Sequence, residues 1–219
     1  MNRTTTIPAP AGTAPDRLMG TLAIMGFAAE DNLRCVAKAL GQRDCAALGG
    51  VAERNAKQPR LRAEIEEQIV DAMARLPPGA HARHKLVLTA RVALLFERMG
   101  AQTVALAGLC DQVLADPRPS RVGDLRKLIE HAVYITDRAA TGLIEEDPEM
   151  AKIALEQLRA ATELDARVGR ELAALADARG DALPRVDLLT RIACRANDMI
   201  EDAGRLADNV LAFLAQAEL

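Results

Sequence analysis

From Leu189 to Phe213 the residues Leu189, Ile192, Ala196, Met199, Ala203, Leu206, Val210 and Phe213 recur at alternating steps of three and four. On a helix of 3.6 residues per turn such positions form a single apolar stripe. A stripe of this length must be buried against partner helices that cross it at a shallow angle, as in an antiparallel bundle. The spacing in Val92, Phe96, Met99, Leu106, Cys110 and Val113 repeats it, with Thr103 as a polar interruption. Alanine and leucine dominate the chain and β-branched residues are sparse, which favours helices over a large sheet.

The two seams lie 100 residues apart. Between them Leu88/Leu188, Arg91/Arg191, Ala93/Ala193, Met99/Met199, Leu106/Leu206 and Ala107/Ala207 are identical, and Val92/Ile192 is conservative. This suggests an internal repeat. Pro and Gly punctuation agrees, cutting the chain into six long periodic stretches. They run from about Asp16 to Gly41, Asp44 to Leu76, Ala80 to Ala115, Arg121 to Glu146, Asp147 to near Gly180, and Pro184 almost to Leu219. Gly49-Gly50 weakens the first turn of the second stretch, and Asp147-Pro148 supplies an N-cap and an N1 proline for the fifth. The expected fold is all-α, a tandem repeat of two antiparallel three-helix bundles.

Of 219 residues, half are hydrophobic, 27% are charged and only 2% are aromatic, with a net charge of −3. That mix is globular. Four aromatics, Phe27, Phe96, Tyr134 and Phe213, do not make a stacking platform for single-stranded nucleic acid, and the acidic balance argues against a general duplex-binding surface. No apolar run, such as Val92-Ala93-Leu94-Leu95-Phe96, approaches the roughly 20 residues needed to span a bilayer, so no membrane-spanning segment is expected. The first fifteen residues, with Pro8, Pro10 and Pro15, lack the apolar core of a signal peptide and read as a flexible tail. Cys35, Cys45, Cys110 and Cys194 form no CxxC pair and read as reduced thiols.

Motifs that carry covalent chemistry are missing: there is no phosphate-binding glycine loop, no dinucleotide fingerprint, no HExxH and no GxSxG. His81 and His84 stand at i, i+3 and are more simply a solvated helix start than a metal pair. Asn197, Glu201 and Asp208 share one outward stripe of the last helix, where carboxylates could hold a hard cation or simply face water. Arg205 is placed for an i, i+4 ion pair with Glu201 that would compete with a metal. Glu64, Glu66, Glu67 and Asp71, interleaved with Arg60, Arg62 and Arg75, read as an ion-paired solvated face.

At Phe96-Glu97-Arg98-Met99-Gly100 the chain resembles the PhoU family of phosphate-signalling regulators, a tandem pair of three-helix bundles with a Leu-Glu-Arg-Ile-Gly-Asp type segment in each. Upstream, Pro78 followed by His81-Ala82-Arg83 keeps the Arg of a family Pro/Asp-Leu-Arg pattern, without its Asp and Leu. Leu18-Met19-Gly20 and Asp147, Glu149, Ala151 resemble the family's helix starts. The resemblance covers residues 16 to 217 and implies a first repeat over 16–116 and a second over 121–217, behind a tail over 1–15.

In some members of that family Glu-x-x-x-Asp motifs bind metal clusters. Here Glu97 is kept but Ala101 stands at the Asp position; in the second repeat Asn197 and Glu201 occupy the two positions, and Asp208 matches a further acid. The candidate ligands are therefore Glu97, Glu201 and Asp208. With about half the ligand charge gone, a weakly held divalent or iron-type metal, or none, is expected. The resemblance also implies a cytoplasmic, homodimeric, non-enzymatic adaptor. It would bind a phosphate ABC transporter's ATPase and a sensor histidine kinase, with Arg83 and Arg98 as candidate partner contacts, and no nucleic acid. The other readings are a helical interaction scaffold without a phosphate role and a metal-cluster bundle.

Overall fold

The computed structural model of the chain describes residues 14–77, 81–116, 123–178 and 183–215. Over those residues it is helical: α1 (Ala14–Gln42), a 3-10 turn (Cys45–Leu48), α2 (Val51–Asn55), α3 (Gln58–Arg75), α4 (His81–Ala115), α5 (Gly123–Ile144), α6 (Pro148–Ala178) and α7 (Leu183–Ala215). Most of the expected tail, residues 1–13, lies outside the described residues, as do the breakers at 78–80, 117–122 and 179–182.

Five of the six expected stretches are single helices. The second is not, and the continuous rod expected over Asp44 to Leu76 is corrected to a 3-10 turn and two helices. Asp44 caps the 3-10 turn, its carboxylate accepting the Ala46 N–H at 2.9 Å. Gly50 then sits at φ +82°, a left-handed conformation that side-chain-bearing residues avoid. Pro59 stands in the first turn of α3. Proline lacks the N–H an interior helix turn needs, so it starts a new helix there. Between α5 and α6 the turn is the one the sequence indicates: Asp147 Oδ1 accepts from Glu149 N–H at 2.8 Å, and Pro148 is the first helical residue.

The chain makes two bundles, α1 with α3 and α4, and α5 with α6 and α7. They lie side by side, because α1 packs on α5 and α4 packs on α7. Both seams are fully buried, Val92 to Val113 on α4 and Leu189 to Phe213 on α7, and the buried residues of both halves form one continuous core. α4 and α7 run antiparallel along their whole length. Lys85 lies near Phe213 at one end, Arg98 meets Asp202 in the middle, and Arg185 meets Asp116 at the other end. Each half contributes its first and last helix to the join, so like meets like, as in a two-fold interface. α3 and α6 are the outer flanks.

α4 is long and apolar enough to pass for a membrane span by length and composition, contrary to the sequence reading, but more than half of that window is buried. Its hydropathy is that of a helix packed in the core.

Candidate functional site

The Glu97–Gly100 segment lies at the middle of α4, where α4 crosses α7. Burying the seam fixes the rotation of α4 and leaves Glu97 half-buried towards α3 and Arg98 towards α7. Arg98 grips Asp202 with two hydrogen bonds, one of them from Nε to Oδ2 at 2.6 Å. Asp202 is 2% exposed, and Arg205 donates to its Oδ1 at 3.0 Å. A carboxylate this deep needs such partners, since an unpaired buried charge is costly. Close by, the buried Thr103 hydroxyl donates to Met99 O at 2.8 Å and stands 3.8 Å from Met199 Sδ. Asp202 escaped the sequence reading. It flanks the seam between Met199 and Leu206, and only the direction of the α4–α7 crossing sets it opposite Arg98.

The candidate ligands are distributed over two places. Glu97 is ion-paired with Arg62 of α3, which also binds Glu66. Glu201 and Asp208 line a groove of about 480 Å3 between α6 and α7, with Asn197 and Asp165. There Arg205 makes the foreseen i, i+4 contact with Glu201 at 3.5 Å. Among the described residues no three His, Cys, Asp or Glu side chains come together as a metal set. Arg83 is half-buried and caps α3, its guanidinium donating to Leu76 O at 2.6 Å and Met73 O at 3.3 Å. Arg98 keeps part of its surface exposed beside its bond to Asp202.

His131 Nε2 donates to Gln157 O at 3.1 Å, joining α5 to α6, and His84 is exposed. The four cysteines are unpaired, and burial pushes the Cys110 thiol up to about 12. Of the ion pairs expected on α3, Arg60–Glu64, at 3.0 Å, and Arg62–Glu66 are present, and among the described residues Arg75 is not paired with Asp71. At the α1–α5 join, Glu30 is 7% exposed and bound by Arg34, which also approaches Asp137 at 3.9 Å. Burial, with a hydrogen bond to Asp137, raises the Glu30 carboxyl above its ordinary value.

Fold and site together define an all-α protein of two tandem three-helix bundles, joined in part through the grip of Arg98 on the buried Asp202. Its architecture is that of PhoU. A crystal structure of PhoU from Pseudomonas aeruginosa matches with a TM-score of 0.86 at 17% identity, over 92% of this chain and 97% of that one. The phosphate transport system regulatory protein PhoU from Streptococcus pneumoniae matches with a TM-score of 0.77 at 10% identity, over 90% and 93%. No family model and no curated protein matches the sequence. The chain has the PhoU fold, in agreement with the resemblance seen at Glu97–Gly100.

Proposed function

We propose that this chain is a diverged PhoU-like regulator of phosphate uptake and of phosphate-responsive two-component signalling, acting in the cytoplasm as a protein-binding adaptor. The observation that supports this reading is the match to PhoU over nearly the full length of both chains. The partners would be a phosphate ABC transporter's ATPase and a sensor histidine kinase, and the working form a homodimer. Bundle faces would read partner shape and charge, and no bond would be made or broken. Deleting the gene should derepress phosphate-regulated genes and alter phosphate uptake; no change in either would end the proposal.

A second reading has its own observation. Glu97 and Glu201 are engaged by Arg62 and Arg205. That suits a helical scaffold which has left metal and phosphate behind. Co-purification of a kinase or a transporter ATPase with the untagged protein would count against it. Elemental analysis of the same preparation tests a metal cluster at Glu97, Glu201 and Asp208.

A further inference from the structure

A groove of about 680 Å3 opens at the end of the molecule where the two halves meet. It is walled by the first turns of α1 and α4, the last turns of α3 and α7, and the α5–α6 turn. Its volume falls within the roughly 300–1,000 Å3 of small-molecule sites. Leu18, Thr89 and Phe213 are buried beneath it, with Leu86 and Met19 partly buried beside them. The hydroxyl of Thr89 is already bonded to Lys85 O, at 2.9 Å, so the floor presents an apolar surface.

The rim is charged. It carries Arg17, Arg75 and Lys85 against Asp71 and Glu146. Among the described residues none of the three cations is within ion-pair distance of a carboxylate. This contrasts with the paired arginines on the outer face of α3 and at the α4–α7 crossing. The usual task of a last-turn arginine is to bond the final carbonyls of its helix. In α3 that task is done by Arg83, which leaves Arg75 without it. Lys85 is held with its ammonium 5.0 Å from the Phe213 ring centroid, a cation fixed directly at the edge of the apolar floor. Glu146 takes its place on the rim in a left-handed conformation, φ +53°, where glycine or asparagine is the ordinary choice.

We propose that this groove binds a small amphiphilic carboxylate, its apolar body on the Leu18–Phe213 floor and its head group among Arg17, Arg75 and Lys85. Among the described residues the rim carries three cations against two carboxylates, which favours an anion, and the floor favours an apolar body. The site draws walls from both halves, so an occupant would tie α1, α3 and α4 to α7 and the α5–α6 turn. This inference goes beyond the adaptor reading and does not depend on it.

The test is calorimetric titration of the full-length protein with sodium decanoate and with decanol. Methyl NMR of the methionines reports the place of binding through Met19. Decanoate should saturate at one per chain and shift the Met19 methyl. Decanol should bind about tenfold more weakly or worse, and Arg75→Ala with Lys85→Ala should weaken decanoate about tenfold. Arg75→Ala alone, at an exposed position, keeps the test available if the double variant loses its helical circular dichroism. The proposal is overturned by an absence of saturable binding, by binding that leaves Met19 unmoved, by decanol binding as tightly as decanoate, or by variants of unchanged affinity.

Discussion

The two halves of the molecule share a plan and fill it differently. In the second half the flanking helix α6 is unbroken and buries Ala151, Ala154, Ala161, Leu164, Val168 and Leu172. In the first half the equivalent flank is a 3-10 turn, α2 and α3, burying Val51, Gln58, Ile65 and Ile69. Where the second half has Ala196, the first has Phe96, a hundred positions earlier and fully buried. Asn32 and Gln58 are buried there too, and Asn32 Nδ2, Asn55 Oδ1 and Gln58 Oε1 find no hydrogen-bond partner among the described residues. Small residues let an intact helix come close. A broken flank is filled by one aromatic ring and by amides whose hydrogen bonds are left incomplete. The first half is the looser one, and opening should begin there.

The largest test of that contrast is Phe96→Ala. Emptying a fully buried aromatic site should cost about 3–5 kcal/mol, read as a lower urea midpoint. Hydrogen exchange should then show α1 and α3 opening well before α6. A smaller loss is expected where the halves join. Arg98→Ala leaves the buried Asp202 with Arg205 alone and should cost about 1.5–3 kcal/mol, towards the lower end because Arg98 is partly exposed to solvent. No loss in urea titration would mean that the join is held by its apolar contacts only.

Next comes the glycine at the crossing. A methyl at Gly100 would collide with Asn55 Oδ1. The Asn55 side chain can swing aside, and alanine gains about 1 kcal/mol over glycine inside a helix. Gly100→Ala should therefore cost about 0–1 kcal/mol alone and become stabilising with Asn55→Ala in the same chain, a non-additivity that a double-mutant cycle measures. Additive effects would place the two residues apart.

The halves should also differ in pH response. The Glu30 carboxyl of α1 is raised above its usual 4.5 by burial and by Asp137, against the pull of Arg34. The folded state therefore holds that proton more tightly than the unfolded chain. Its stabilising contribution is complete below pH 4.5 and is lost as pH rises through the raised value. Asp124 of α5 is lowered below its usual 3.8, chiefly by hydrogen bonding to Lys127, with Arg167 of α6 adding to it. Its contribution is complete above pH 3.8 and is lost as pH falls through the lowered value. Urea midpoints against pH should lose the first slope in Glu30→Gln and the second in Asp124→Asn; a wild-type slope in either variant contradicts the assignment. The smallest effect belongs to Arg60→Ala on the outer face of α3. Arg60 is 86% exposed, and its loss should shift stability by no more than about 0.5 kcal/mol.

Periodicity made the seams of α4 and α7 legible, because burial on one side of a helix writes itself into spacing, and capping and proline chemistry marked the α6 start at Asp147-Pro148. Pro59, whose missing N–H starts α3 afresh, is a local signal like Gly49-Gly50, yet the spacing alone predicts one rod through it. Sequence reading foresaw the Arg205–Glu201 contact from i, i+4 geometry alone. It had no means of finding Asp202 or Glu30. Each is an acid beside an apolar stripe, a position that faces water or a neighbour according to which helix packs there.

Helix content, the tandem repeat and the positions of the seams were thus determined by the amino-acid sequence, through forces that act within a few turns of one helix. Only the tertiary structure decided that α4 meets α7 and α1 meets α5, antiparallel and side by side. That choice brings Arg98 to Asp202 across 104 residues, and Lys85 to Phe213 at the rim of the end groove. Apolar stripes have no direction, so which stripe covers which was settled by the shape of the assembled core and by the charges at its edges.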